Sequence, residues 1–146
     1  MVDVLSEIVI DRPLAIVADF ASNPDNAPEW YVNIDSAKWI TDKPLQVGSQ
    51  IIFQAKFLGK TLVYTYEITL LVPREKLVMK TAEGPFPMET TYTWTAINDH
   101  QTKMTLRNCG APSGFSKFFA PLMATMVRKA NKKDLKYLKR ILEDNG

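Results

Sequence analysis

Residues 88–111 read METTYTWTAINDHQTKMTLRNCGA, and the architecture follows from this stretch. Thr91, Thr93 and Thr95 alternate with Tyr92 and Trp94, and a period of two is the signature of a strand. Threonine tolerates water on a pleated surface, so Tyr92 and Trp94 are predicted to face inward. Asn98-Asp99-His100-Gln101 carries turn chemistry. Beyond it Met104, Leu106 and Asn108 alternate with Lys103, Thr105 and Arg107, the first set inward. Two such runs joined by a short polar turn form an antiparallel hairpin, with predicted strands at Met88–Asn98 and Lys103–Ala111.

The same alternation continues towards the N-terminus. Strands are predicted at Lys76–Glu83, Thr61–Val72, Ser49–Leu58 and Ile34–Thr41. Their links are Gly84-Pro85-Phe86-Pro87, Pro73-Arg74-Glu75 and Leu58-Gly59-Lys60, too short for the crossovers that parallel pairs need. The inward faces are Met79 and Thr81; Tyr64, Tyr66 and Ile68; and Ile51, Phe53, Ala55 and Phe57. Gln54, Lys56, Thr65, Glu67, Thr69 and Lys80 go outward. Val2–Asp11 alternates in the same way and is predicted as a further, half-buried strand. Arg12-Pro13 ends it, and Pro13 suits the first turn of a short helix from Leu14 to about Ala21. Asn23-Pro24-Asp25 starts a second short helix that reaches Trp30.

After Pro112 the pattern changes. Ser113 can cap a helical turn bearing Phe115, Phe118 and Phe119. Pro121 cannot sit deep in an unbroken helix, so a kink or a fresh start is expected there. From Pro121 to about Asp144 a helix would run roughly 36 Å at about 1.5 Å per residue. Steps of about 100° put Met123, Met126, Val127, Ala130, Tyr137, Leu138 and Ile141 on one face. Arg128, Lys129, Lys132, Lys136, Lys139 and Arg140 fall opposite. The apolar stripe has to lie on the sheet, because nothing else is large enough to cover it. The fold class is α+β: seven antiparallel strands around one long C-terminal helix.

Composition narrows the function. The chain has 146 residues, 46% apolar and 23% charged, which suits one globular domain. No apolar run approaches a bilayer span, and MVDVLSEIVID lacks the basic start and apolar centre of a secretory signal. Cys109 is the sole cysteine, so no intrachain disulfide can form and a reducing, cytoplasmic setting is expected. The only histidine, His100, lies in a turn, where a solvated side chain is the plain reading; a catalytic dyad or multi-histidine metal site has no residues to draw on. Cys109 would need a cation such as Arg107 to become a nucleophile, and packing explains it better. No glycine-rich phosphate loop or nucleophile elbow is present, and no cofactor is expected. From Ser113 onward eight basic residues face three acidic ones, so the net charge of +2 conceals a basic C-terminal segment on a slightly acidic body.

The order strand, two short helices, six strands, long helix resembles the START-like, or helix-grip, superfamily, whose bacterial branch is called SRPBCC or polyketide cyclase/dehydrase and lipid-transport-like. The resemblance rests on Pro28-Glu29-Trp30, on Pro44-Leu45-Gln46-Val47-Gly48, on Tyr92-Thr93-Trp94 followed by Thr102-Lys103-Met104-Thr105-Leu106, and on Asp134-Leu135-Lys136-Tyr137-Leu138-Lys139. It covers essentially the whole chain. It implies a deep cavity between a curved sheet and the last helix. Its mouth would lie among the two short helices, Gly84–Pro87 and the Pro112–Phe119 segment, with Trp30, Phe86 and Phe115 at the gate. Such a fold hosts binders, transporters, cyclases and chaperone activators, so it does not fix an activity.

The inner face is rich in aromatics and methionine with a few hydroxyls, which describes the wall of a small-molecule site. Any single ring is explained equally well by core packing. The candidate contacts are Phe53, Phe57, Tyr64, Tyr66, Met79, Thr81, Tyr92, Trp94, Met104, Leu106 and Asn108. Phe115, Phe119, Met123 and Met126 would cluster near the mouth, where methionine can adapt to varied ligands. Asp134 falls in the middle of the apolar helix face; a buried carboxylate must be paired or raised in pKa, so either a cation, an amide or water satisfies it, or it anchors a ligand. The expected partner is a hydrophobic or amphipathic small molecule: a lipid, an isoprenoid or a polyketide-like compound. A cyclase/dehydrase-type enzyme and a chaperone-activator-like module are the alternatives, and the lack of an internal histidine or an acid–base pair favours binding. The basic helix face is read first as solvated surface, then as weak contact with an anionic membrane; nucleic acid fits poorly at a pI near 8.6.

Overall fold

A computed structural model gives the fold and describes residues 2–57, 59–83, 87–110 and 120–144, with the side chains of Phe57, Ala120 and Pro121 outside the description. The elements are β1 (Val2–Ile10), α1 (Leu14–Ser22), a 3-10 turn (Pro24–Asn26), α2 (Ala27–Trp30), β2 (Ile34–Trp39), β3 (Gln50–Phe57), β4 (Lys60–Val72), β5 (Lys76–Glu83), β6 (Met88–Asn98), β7 (Gln101–Gly110) and α3 (Ala120–Asp144). The second short helix is thus split, with Asn23 Oδ1 accepting from the Asp25 amide to start the 3-10 turn. Pro121 lies in the first turn of α3, where its missing N–H is no loss.

One seven-stranded antiparallel sheet runs β1-β7-β6-β5-β4-β3-β2. The β6–β7 hairpin pairs Tyr92 with Leu106 and Trp94 with Met104, all buried on the inner face. Register shifts in β2, β4 and β6 insert extra residues, which bend strands and increase their twist. The resulting sheet curls around α3 in a START-like, helix-grip arrangement.

The interior has two centres. The larger contains Ile10, Val17, Trp30, Ile51, Ile68, Leu77, Trp94, Met104, Leu106, Leu135 and Leu138, each essentially closed to solvent. The smaller holds Val2, Val4 and Met123, with Tyr64, Met88 and Val127 packed against it. The apolar stripe of α3 is rotated from the one predicted. Asn131, Asp134, Leu135, Leu138 and Leu142 are buried, Met126 and Ile141 are half-buried, and Tyr137 is 41% exposed. Tyr137 instead lays its ring under the Arg140 guanidinium, 5.6 Å away. The prediction weighted apolar residues alone, and a polar Asn131 belongs to the face that meets the sheet. Among the described residues no helix is long and apolar enough to cross a membrane.

Candidate functional site

The two hydrophobic centres do not merge, and a cavity of about 190 Å³ lies between them. A single water needs about 10–15 Å³ by the same measure, so the void holds far more than a few waters. Its wall combines Phe53 on β3, Leu62, Tyr64 and Tyr66 on β4, Met79 on β5, Met88, Thr90 and Tyr92 on β6, and Asn108 on β7. From α3 come Met123, Val127, Ala130, Asn131 and Asp134; Tyr31, Asn33 and Ile34 close the side next to α2.

Polar groups concentrate on one side. Asp134 is 3% exposed, and its Oδ1 accepts the Val32 amide at 2.9 Å. Burial outweighs that bond and the nearby Lys133 charge, raising the carboxyl to about 7. The anomaly in the helix face is therefore met by a backbone amide, one of the satisfiers foreseen, and the carboxyl also lines the cavity. Tyr31 and Tyr92 hydrogen-bond through their hydroxyls. Burial pushes both phenols well above their usual value, and the Asp134 charge adds to the effect. Burial also lifts Tyr66 to about 12, partly offset by a hydrogen bond with Thr90. Thr90 Oγ1 donates to Asn108 Oδ1 at 2.6 Å, and Asn108 Nδ2 donates to Asn131 Oδ1 at 3.0 Å. Rings meet edge to face or tilted along this wall, with Phe53 and Tyr66 centroids 5.8 Å apart and Tyr92 and Trp30 also 5.8 Å apart.

Of the contacts named from sequence, Phe53, Tyr64, Tyr66, Met79, Tyr92, Asn108, Met123 and Asp134 line the cavity. Trp30, Trp94, Met104 and Leu106 sit instead in the larger hydrophobic centre, each at most 3% exposed. Trp30 packs in the core against Tyr31 and Tyr92. Thr81 lies off the cavity, its Oγ1 accepting the Met88 amide at 3.0 Å. Met126 is half-buried on α3 and does not reach the void. Phe86, Phe115, Phe119 and the side chain of Phe57 lie outside the described residues.

Sequence reasoning missed others. Leu62, Met88 and Thr90 fall on the inward positions of their strands, so extending the alternation by one step, or two for Met88, would have found them. Lys56, placed outward, is exposed and borders the opening, with Nζ 3.9 Å from Asp35. Tyr31 and Asn33 follow a helix with no periodic signal, and Asn131 looks polar in a helix read by its apolar residues. Among the described residues no three acidic, cysteine or histidine side chains gather as a metal site would require. His100 is exposed and its amide donates to Asn98 Oδ1, a turn contact. Cys109 is half-buried between Asp3 and Glu89 in the sheet register.

Comparison with known proteins agrees with this geometry. Residues 1–143 match the sequence model of the family described as polyketide cyclase / dehydrase and lipid transport. A START superfamily protein from Mycobacterium smegmatis superposes with a TM-score of 0.86 over 99% of both chains at 11% identity. The Zhui aromatase/cyclase from Streptomyces sp. R1128 gives 0.82, with 97% of this chain and 93% of that one covered at 11% identity. The di-domain aromatase/cyclase BexL of the BE-7585A biosynthetic pathway gives 0.79 at 17% identity; 98% of this chain covers 47% of that protein. At such identities the likeness shows the fold. A search of curated proteins finds no match. The chain has a START-like fold and belongs to the polyketide cyclase/dehydrase and lipid transport family.

Proposed function

We propose that this protein binds a hydrophobic or amphipathic small molecule in the cavity between sheet and α3. The observation that carries the reading is the cavity itself: about 190 Å³ beside Phe53, Leu62, Met79, Met88 and Val127. Empty space forfeits dispersion contacts, and a ligand restores them. Apolar walls with a few convergent polar groups are the usual make-up of such a site. Native mass spectrometry of protein purified without denaturant tests the reading, together with titration by an apolar fluorescent naphthalene. A co-purified small mass, or saturable uptake of the dye, is expected. An empty protein that also refuses the dye would end the proposal.

One observation favours a second reading, cyclase-type catalysis. Asp134, raised to about 7, couples electrostatically to the hydrogen-bonded Tyr31–Tyr92 pair, and a carboxyl near neutral pKa can shuttle protons. A cavity that folds a reactive chain could supply the rest by orientation. Turnover of a short poly-ketone mimic, abolished in Asp134→Asn or Tyr92→Phe, would establish it; binding without turnover would leave the carrier reading alone.

A further inference from the structure

Asn131 ends a hydrogen-bonded relay. Thr90 donates to Asn108, Asn108 donates to Asn131 Oδ1, and Asn131 Nδ2 has no partner among the described residues. The residue is 3% exposed and lines the cavity. A buried amide donor without an acceptor is destabilising, so one aimed at a cavity is satisfied by whatever enters it, a water or an oxygen of a ligand. Asp134 follows three positions later, which places both side chains on one helix face. The ionisable groups that couple to Asp134 are the phenols of Tyr31 and Tyr92 from the facing elements and Lys133 from its own helix. Among the described residues the one cation of the lining is Lys56, exposed and 3.9 Å from Asp35, so the buried groups around Asn131 and Asp134 are neutral or negative.

We infer that the ligand presents an uncharged oxygen, a ketone or a hydroxyl on an apolar body, to Asn131 and Asp134, and that a carboxylate head is refused. The inference rests on the small-molecule reading above and sharpens it. A ketone oxygen accepts from Asn131 Nδ2 and from a protonated Asp134; a hydroxyl accepts from Asn131 and donates to an ionised Asp134. Either one engages both side chains. A carboxylate would bring a second negative charge against the buried Asp134 in a cavity with largely apolar walls.

Three matched probes test this by calorimetry at neutral pH: acetylnaphthalene, ethylnaphthalene and naphthoate. The ketone should bind about tenfold more tightly than the hydrocarbon, as one or two net hydrogen bonds allow, and naphthoate more weakly than either. Asn131→Leu should shrink the ketone's advantage over the hydrocarbon, whereas Asp134→Asn, which keeps a donor, should preserve the preference. In wild-type protein the labelled carbonyl carbon should resonate downfield of its position in hexane, a readout that does not depend on any variant folding. Equal affinity for ketone and hydrocarbon, with the carbonyl resonance at its hexane position, would overturn the inference and leave the cavity reading intact. Tight naphthoate binding would also overturn it. Failure of all three probes would overturn the cavity reading and the inference with it.

Discussion

A single carboxyl sets much of this protein's expected behaviour with pH. Asp134 holds its proton up to about 7 in the folded chain, because burial disfavours the charged form more than the Val32 amide and Lys133 favour it. In the unfolded chain it ionises near the ordinary aspartate value of about 4. Between those two points the folded state carries the extra proton, so stability falls as pH rises from about 4 to 7, and the deficit persists above. A difference of that size is worth at most about 4 kcal/mol, less whatever relaxation or entering water recovers. Asp134→Asn keeps an acceptor for the Val32 amide and removes the titration. Urea unfolding at a series of pH values should therefore show wild type losing stability over this window while the variant stays flat, with the variant the more stable above about pH 7. Parallel pH profiles would show that Asp134 titrates as a solvated residue.

At the scale of elements, α3 shows both what can be read from sequence and what cannot. One face is core. Leu138 is closed to solvent against the larger hydrophobic centre, and Leu138→Ala should cost about 2–5 kcal/mol in chemical unfolding. The opposite face carries Arg128, Lys129, Lys132, Lys133 and Lys136, all exposed, and among the described residues the only α3 cation paired with an acid within 4.0 Å is Lys139, on Glu143. Unpaired cations spaced along one helix side fit an anionic lipid surface, each contributing about 1 kcal/mol near it. Vesicles containing phosphatidylserine should retain the protein at low salt and release it at high salt, and Lys132→Glu with Lys136→Glu should abolish retention. Binding that ignores both salt and the charge reversal would reduce this face to solvated surface. The seven strands and their order were legible, because period-two alternation and turn residues mark strands directly; the helical turn expected at Ser113–Phe119 lies outside the described residues. The rotation of α3 was less so: Met126 and Tyr137 are apolar enough to claim the buried stripe, while Asn131 owns part of it only because Asn108 reaches across from β7. A tertiary hydrogen bond leaves no trace in helical periodicity.

For the whole molecule, the same inward alternation produces both a solid end and a hollow one, and sequence could not tell them apart. Trp94, Met104 and Leu106 occupy the same kind of inward strand position as Tyr66, Tyr92 and Asn108, yet the first three fill the core and the others line the void. What separates them is coverage. α1 contributes Val17 and Ala18 to the larger centre, whereas Ala130 and Asn131 of α3 face the hollow with side chains too short to fill it. If the space exists to receive a ligand, closing it should raise stability and remove binding together. Ala130→Leu adds apolar volume from the helix side, and filling a void of this kind commonly contributes about 0.5–2 kcal/mol. A domain of this length then melts about 2–4 °C higher for each kcal/mol. Uptake of the naphthalene dye should fall at least about tenfold in the same variant, since the added side chain occupies the ligand's space and cannot be displaced. A higher melting temperature with undiminished uptake would put the ligand elsewhere. A lower one would mean that α3 already meets the sheet there without room to spare, and that no molecule enters between them.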